Sequence, residues 1–313
     1  MTGPPQRAAS TQDYPSRPVR LIEPFGAGGG PDLIARALAQ KLSELWSQAV
    51  TVENIPGAGA TAGPAQVAKS LADGYTLLVS TSAQAYSATL SKNLPYDPLK
   101  DFIPIGSLTS QPYVLVAGKP AGVTTVAELI KAAKAKPGEL EFGSSGIGTG
   151  THLGLEKFNL AAGIRSVHAP PRPRDAIADI IDGTVAGRTA YMLAPIALAL
   201  PQIHDGKLLA LGVSSARRSS LLPEVLTIEE AGVAGFDFPI WYGVWATAGT
   251  PAPVLDKLSK DILRALAVPE LRDWLAKHGG EPMNMTQVEF ARFVLRESES
   301  AAQIIRAAGI KVQ

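Results

Sequence analysis

The chain has 313 residues, 46% hydrophobic and 18% charged, which supplies ample core material, excludes a disordered polymer and, at ~150 residues per domain, predicts two domains. Lys plus Arg is 29 against 28 for Asp plus Glu, a balance that excludes a general nucleic-acid binder, since such a protein needs a basic surplus to displace counterions. Cysteine is absent, which removes disulfides, zinc–thiolate sites, iron–sulfur clusters and thiol nucleophiles together.

The chain opens on a polar stretch, Met1 to Ser16, with no hydrophobic segment of the kind a secretory leader carries. Two readings stand here: a cytoplasmic protein, or an exported one whose leader was replaced by a start Met. Val19 to Phe25 reads as a strand, and Asp32 to Trp46 as a helix with Leu33, Ala37, Leu38, Leu42 and Leu45 on one face. Strand Val50 to Glu53, helix Ala65 to Leu71 and strand Thr76 to Ser80 follow. This βαβαβ order predicts a parallel sheet covered by helices. Val114 to Ala117 reads as a buried strand, and Val126 to Lys136 as a helix stopped by Pro137-Gly138.

A second cycle predicts strand Leu140 to Gly143, helix Thr151 to Leu160, strand Ser166 to His168 and helix Asp175 to Ile181. Strands near Thr189 to Leu193 and at Leu208 to Val213 complete it. An aromatic strand, Ile240 to Ala246, precedes two amphipathic helices, Pro253 to Ala267 and Gln287 to Ala308. The two cycles predict two α/β lobes, with Val114 to Lys119 and Gly235 to Trp245 as the crossings between them.

Two glycine-rich loops each join a strand to a helix. The first is Phe25-Gly26-Ala27-Gly28-Gly29-Gly30-Pro31-Asp32, with Pro31 in the first helical turn; the other is Gly143 to Thr151, which adds Ser144, Ser145 and Thr149 hydroxyls. A strand–loop–helix junction aims backbone N–H groups and the helix dipole at one spot, which suits an anion. Each loop alone could equally be a tight turn; two at equivalent places favour a ligand shared between lobes. A dinucleotide reading fails, because the first loop ends in Pro31, and Gly57-Ala58-Gly59-Ala60-Thr61-Ala62 is separated from its strand by Asn54-Ile55-Pro56. No phosphate P-loop exists, and Gly143-Ser144-Ser145-Gly146-Ile147 misses the nucleophile elbow. The four histidines include no metal-binding pair, and only His152, at the start of a helix, is placed to act as a base.

The run Tyr14–Ile22, with Pro24-Phe25 and Gly28–Asp32, resembles the mature start of the tripartite tricarboxylate transporter receptors, the Bug family of periplasmic solute-binding proteins. The resemblance continues through Val52–Asn54 with Pro56–Gly59, Asp73–Leu78, Leu94–Pro98 with Asp101-Phe102, and Ser144–Gly146 with Gly148-Thr149 and His152-Leu153. It ends with Pro223–Val225, Glu230–Gly232 and Gly249–Pro253, and spans about Tyr14 to Val312.

The resemblance implies an α/β Venus flytrap of the periplasmic-binding-protein kind, two lobes joined by two crossing strands. The expected division is 14–117 plus 237–313 for the first lobe and 118–236 for the second, with 1–13 a disordered tail. It implies a receptor, not an enzyme, that captures a small organic carboxylate, without cofactor or metal. The first loop would supply Phe25, Gly26, Ala27, Gly28, Gly29, Gly30 and Asp32; the second, Ser144, Ser145, Gly148, Thr149 and His152. Ser82 and Gln84, after the third strand, would line the cleft.

Two departures from the family pattern stand out. Pro170-Pro171-Arg172-Pro173 replaces a Pro-Tyr-Lys-Gly run, and Ala194 stands where an Asp commonly holds an amino-acid ammonium. Arg172 and Ala194 would therefore make a far wall suited to a non-amino acid, either a dicarboxylate or one with an apolar or aromatic body. Arg172, stiffened by flanking prolines, either meets a second carboxylate or faces solvent beside Arg174. The partners implied are the solute and a membrane permease or a sensor kinase, with no nucleic acid, for a monomer in the periplasm. The alternative is a cytosolic α/β enzyme acting on an organic acid, with His152 essential.

Overall fold

A computed structural model describes residues 14–57, 60–90, 93–169 and 190–310. The tail 1–13, the expected helix at 175–181 and Arg172 lie outside the described residues. The strands form two separate sheets.

In the first sheet, β1 (Val19–Glu23), β2 (Val50–Asn54) and β3 (Thr76–Thr81) run parallel. They are linked by α1 (Gly30–Trp46) and α2 (Ala62–Ala68), and α3 (Ala83–Leu90) follows. β4 (Phe102–Gln111) and β10 (Ile240–Thr247) pair antiparallel, as do β10 and β3, and the two-residue β11 (Glu281–Pro282) edges the sheet. The order across it is β11-β4-β10-β3-β1-β2. The expected parallel sheet is therefore a mixed one.

The second sheet repeats the plan. β6 (Glu141–Gly143), β7 (Val167–Ala169) and β8 (Tyr191–Pro195) are parallel; β5 (Tyr113–Gly118) lies antiparallel between β8 and β9 (Leu208–Val213). Here the order is β7-β6-β8-β5-β9. Its helices are α4 (Val126–Ala135), α5 (Gly150–Ala162) and α6 (Ile196–His204). The C-terminal α7 (Ala252–Leu266), α8 (Pro269–Lys277) and α9 (Gln287–Ala307) return to the first sheet.

The chain leaves the first sheet at Gln111 and enters the second at Tyr113, so Val114 to Ala117, read as the end of the first lobe, lies inside the second sheet. The return is at Ile240, paired with Gln111. The two crossings are thus side by side and short.

One face of the first sheet packs on α1, α7 and α8 through Leu21, Leu38, Leu42, Val244, Leu258 and Ile262. The buried stripe of α1 is Ile34, Ala35, Leu38, Ala39 and Leu42, with Leu33 39% exposed, so the expected face is rotated by about one residue. The other face joins a cluster that continues into the second sheet, from Trp245 and Phe290 through Trp241, Tyr86 and Phe238 to Leu193 and Phe158. Nearly continuous apolar packing therefore crosses the hinge.

Candidate functional site

The first loop leaves the carboxyl end of β1 and enters α1 at Gly30. Gly28 adopts φ +82°, a region that costs glycine little. N-cap Gly29 has no side chain to cap the helix, and the first-turn N–H groups have no intrahelical acceptor. Gly26, Ala27, Gly28, Gly29 and Gly30 are all exposed, whereas Phe25 is half-buried. Backbone is therefore the surface this loop offers.

Asp32, expected to meet ligand, instead turns back beneath the loop. It is 2% exposed and accepts bonds from Gly28 N–H at 2.8 Å, Arg36 Nε at 3.0 Å and Asn54 Nδ2 at 2.9 Å. Burial opposes its charge, but those bonds from Arg36, Gly28 and Asn54 prevail and hold the carboxyl below its ordinary range. Its role is to shape the loop. Glu23, at the end of β1, is fully buried and accepts from Phe25 N–H at 3.0 Å and Asn54 Nδ2 at 2.7 Å. Burial pushes its carboxyl up to about 7. Glu23, Asn54 and Arg36 were not anticipated from sequence. The available signal was Glu23's phase with Val19 and Leu21, which puts an acid on the strand's buried face.

The second loop is built from hydroxyls. Ser145 Oγ lies 2.8 Å from Thr151 Oγ1 and 3.3 Å from Thr149 Oγ1, and Thr149 and Thr151 are 3.0 Å apart. Thr149 caps α5 by accepting from His152 N–H. Thr151, also unanticipated, accepts from Ser145 N–H at 2.9 Å and so ties both ends of the loop. Ser144, fully buried, lies 2.6 Å from His168 Nε2. Gly148 takes φ +81° and donates its N–H to His152 Nδ1 at 3.1 Å.

That bond decides the state of His152. With Nδ1 accepting, the ring proton sits on Nε2. Burial and the neighbouring His168 lower its pKa to about 4. Burial lowers His168 as well. His152 is thus a neutral prop for the loop, with no geometry of a catalytic base.

The first lobe reaches the second at the second loop. Leu90, at the end of α3, packs so closely on Gly148 that a Cβ there would come within 2.8 Å of its methyl carbons. Ser82 and Gln84, at the start of α3, are 2% and 3% exposed, and Gln84 Nε2 has no hydrogen-bond partner among the described residues. A buried amide donor in that state carries a desolvation cost that an acceptor would relieve. Tyr242 Oη lies 3.5 Å from where a Cβ on Gly30 would stand, and the Tyr113 hydroxyl would overlap one on Gly150. Each helix start thus abuts a tyrosine from the antiparallel strand of its own sheet.

Ala194 joins none of this. It is fully buried on β8 within the cluster of Val114, Met192, Ile196 and Val213, so it presents no surface to a solute. The expectation that it walls the cleft does not match its apolar packing.

Comparison with known proteins identifies the family and the fold. The family model for the tripartite tricarboxylate transporter family receptor matches residues 34–310. The chain is 30% identical to Rpa4515 of R. palustris, solved with adipate, covering 95% of this chain and 99% of that one with a TM-score of 0.84. It is 31% identical to the periplasmic binding protein BugD, covering 96% and 100% with a TM-score of 0.81. Against MatC from Rhodopseudomonas palustris, solved with bound malate, identity is 28%, coverage 93% and 100%, and the TM-score 0.79. With its two mixed α/β lobes of the periplasmic-binding-protein fold, the chain belongs to the tripartite tricarboxylate transporter receptor family, a family of solute-binding receptors and not of enzymes.

Proposed function

We propose that the protein captures a small dicarboxylate between its lobes in the periplasm and, as a closed monomer, presents it to membrane components of a transporter. The observation that carries the reading is the pair of loops, each at a helix N-terminus, one offering backbone N–H groups and the other a hydroxyl cluster. Charge-assisted bonds from such donors are short and strong, and a helix start favours negative charge. Gln84 Nε2 adds a donor without a competing partner among the described residues. Relatives solved with adipate and with malate support two carboxylates in the solute. No helix among the described residues is long and apolar enough to cross a membrane, which accords with a receptor that relies on separate membrane partners.

Calorimetry against adipate, malate and monocarboxylates of matched length tests this. The dicarboxylates bind more tightly, and Arg172→Ala, at a position outside the described residues, erases most of that advantage, as expected of a guanidinium that can pair with a second carboxylate. Equal affinity for both classes in the unmutated protein refutes the dicarboxylate reading. Absence of binding by every acid refutes carboxylate capture.

A further inference from the structure

Two buried carboxylates lie under the first loop, and they are not equivalent. Asp32 holds a cation, the Arg36 guanidinium, at 3.0 Å. Glu23 holds none among the described residues: there its two oxygens accept the Phe25 N–H and the Asn54 amide, and Asn54 Nδ2 is shared with Asp32. The remaining ionisable groups that bear on Glu23 are Asp32 and Arg36 on α1 and the Tyr242 hydroxyl on β10. An isolated buried carboxylate without a counter-cation is the group that takes up a proton.

The N–H groups of Gly26 and Ala27 follow directly after the one Glu23 accepts. With neighbouring Cα atoms about 3.8 Å apart, an anion on them sits within roughly 8 Å of Glu23. A third negative charge would then lie close to the buried Asp32–Glu23 pair, and nearby like charges suppress ionisation.

We propose that Glu23 is a proton site coupled to solute capture: binding of a carboxylate at the first loop places a proton on Glu23, so acid and proton are taken up together. The balance is simple. The solvent donates one proton to a Glu23 oxygen, and no other bond changes. Burial already pushes the free protein's Glu23 up to about 7, so the site is poised to respond near neutrality. The inference rests on the loops holding a carboxylate, and its test separates the two ideas.

Adipate and malate are titrated calorimetrically in buffers of different ionisation enthalpy from pH 6 to pH 9, which yields the protons taken up per bound acid. If the neighbouring anion raises Glu23 by about one further pH unit, uptake is roughly half a proton at pH 7, and affinity is about tenfold weaker at pH 9 than at pH 6. His152, lowered to about 4, adds little over this range, and burial shifts His168 downward as well. Glu23→Gln, which mimics the protonated acid, removes the uptake and flattens the pH dependence. Binding with no proton uptake in the unmutated protein overturns the proposal and leaves carboxylate capture standing. Absence of binding by either acid at every pH removes both. Should Glu23→Gln fail to fold, the uptake measured on the unmutated protein decides alone.

Discussion

The two loops occupy equivalent junctions, yet they are built by opposite means. The first exposes backbone and keeps its side chains beneath, where Glu23 and Asp32 accept the Phe25 and Gly28 N–H groups and Asn54 donates to both carboxylates. The second exposes a half-buried cluster of Ser145 and Thr149 and is propped from behind by His152 and His168. The contrast teaches that helix-start geometry, not any particular side chain, is what the two lobes share. It also means that side-chain substitution can empty the second loop of donors but not the first.

The largest expected effect tests that asymmetry. Ser145→Ala with Thr149→Ala weakens carboxylate binding, each lost bond to a charged group costing roughly 1.5–3 kcal/mol. Calorimetry on the folded variant checks it. Loss of the Thr149 cap adds about 1 kcal/mol to the stability cost, read separately by urea unfolding. Unchanged affinity would take the second loop out of the site.

The supports should also answer pH in opposite senses. Glu23 is raised from 4.5 to about 7, so between those values the folded state binds the extra proton and stability falls as pH rises. His152 is lowered from 6.5 to about 4, so in that window the unfolded state binds the extra proton and stability falls as pH drops. Shifts of this size correspond to up to about 3 kcal/mol each. Near pH 4.5 to 6.5 the two slopes offset in the native chain. Glu23→Gln should unmask a stability that rises with pH, and His152→Gln one that falls with it, both visible in denaturant midpoints. Identical profiles for the two variants would contradict the assigned environments.

The smallest expected effects concern the helix starts. Gly150→Ala drives a methyl into the Tyr113 hydroxyl, and Tyr113 is buried and stacked on Phe238; overpacking of this kind costs about 1–3 kcal/mol. Gly30→Ala meets Tyr242 Oη at only 3.5 Å, an ordinary contact. It should be neutral or stabilising by about 0.5–1 kcal/mol, since alanine suits a helix better. Comparable destabilisation at both positions would show that the tyrosines abut the two helices alike.

Both loops were legible because glycine and serine clusters at strand–helix junctions are local signals. What supports them was not. Glu23 reads as the charged end of a strand, and only the sheet brings Asn54 beside it, through the pairing of β1 with β2. β4 was unrecognised because Pro104 and Gly106 look like breakers. In the sheet, Pro104 stands at a register shift against β10, and Gly106 makes room for Ile262. α6, apolar nearly throughout and carrying Pro201, has no clear stripe for periodicity to find. The antiparallel strands β5 and β10 pair with strands distant in sequence, so a βαβ pattern read locally predicts parallel neighbours instead.

Ser214, at the end of β9, fastens the two crossings together. Its Oγ accepts from Tyr113 N–H and donates to the Phe238 carbonyl, while its own N–H donates to Tyr113 O and its carbonyl accepts from Phe238 N–H. On the other side, Gln111 and Ile240 are paired across β4 and β10. Only Pro112 and Pro239 remain between these clamps, and the ring of each fixes its own φ. A motion of the lobes is thereby confined to a handful of torsions. Ordering a flexible residue costs about 1–2 kcal/mol in entropy, and a hinge of two prolines has almost none to lose. A swing of the proposed receptor's lobes about this hinge would therefore cost little chain entropy.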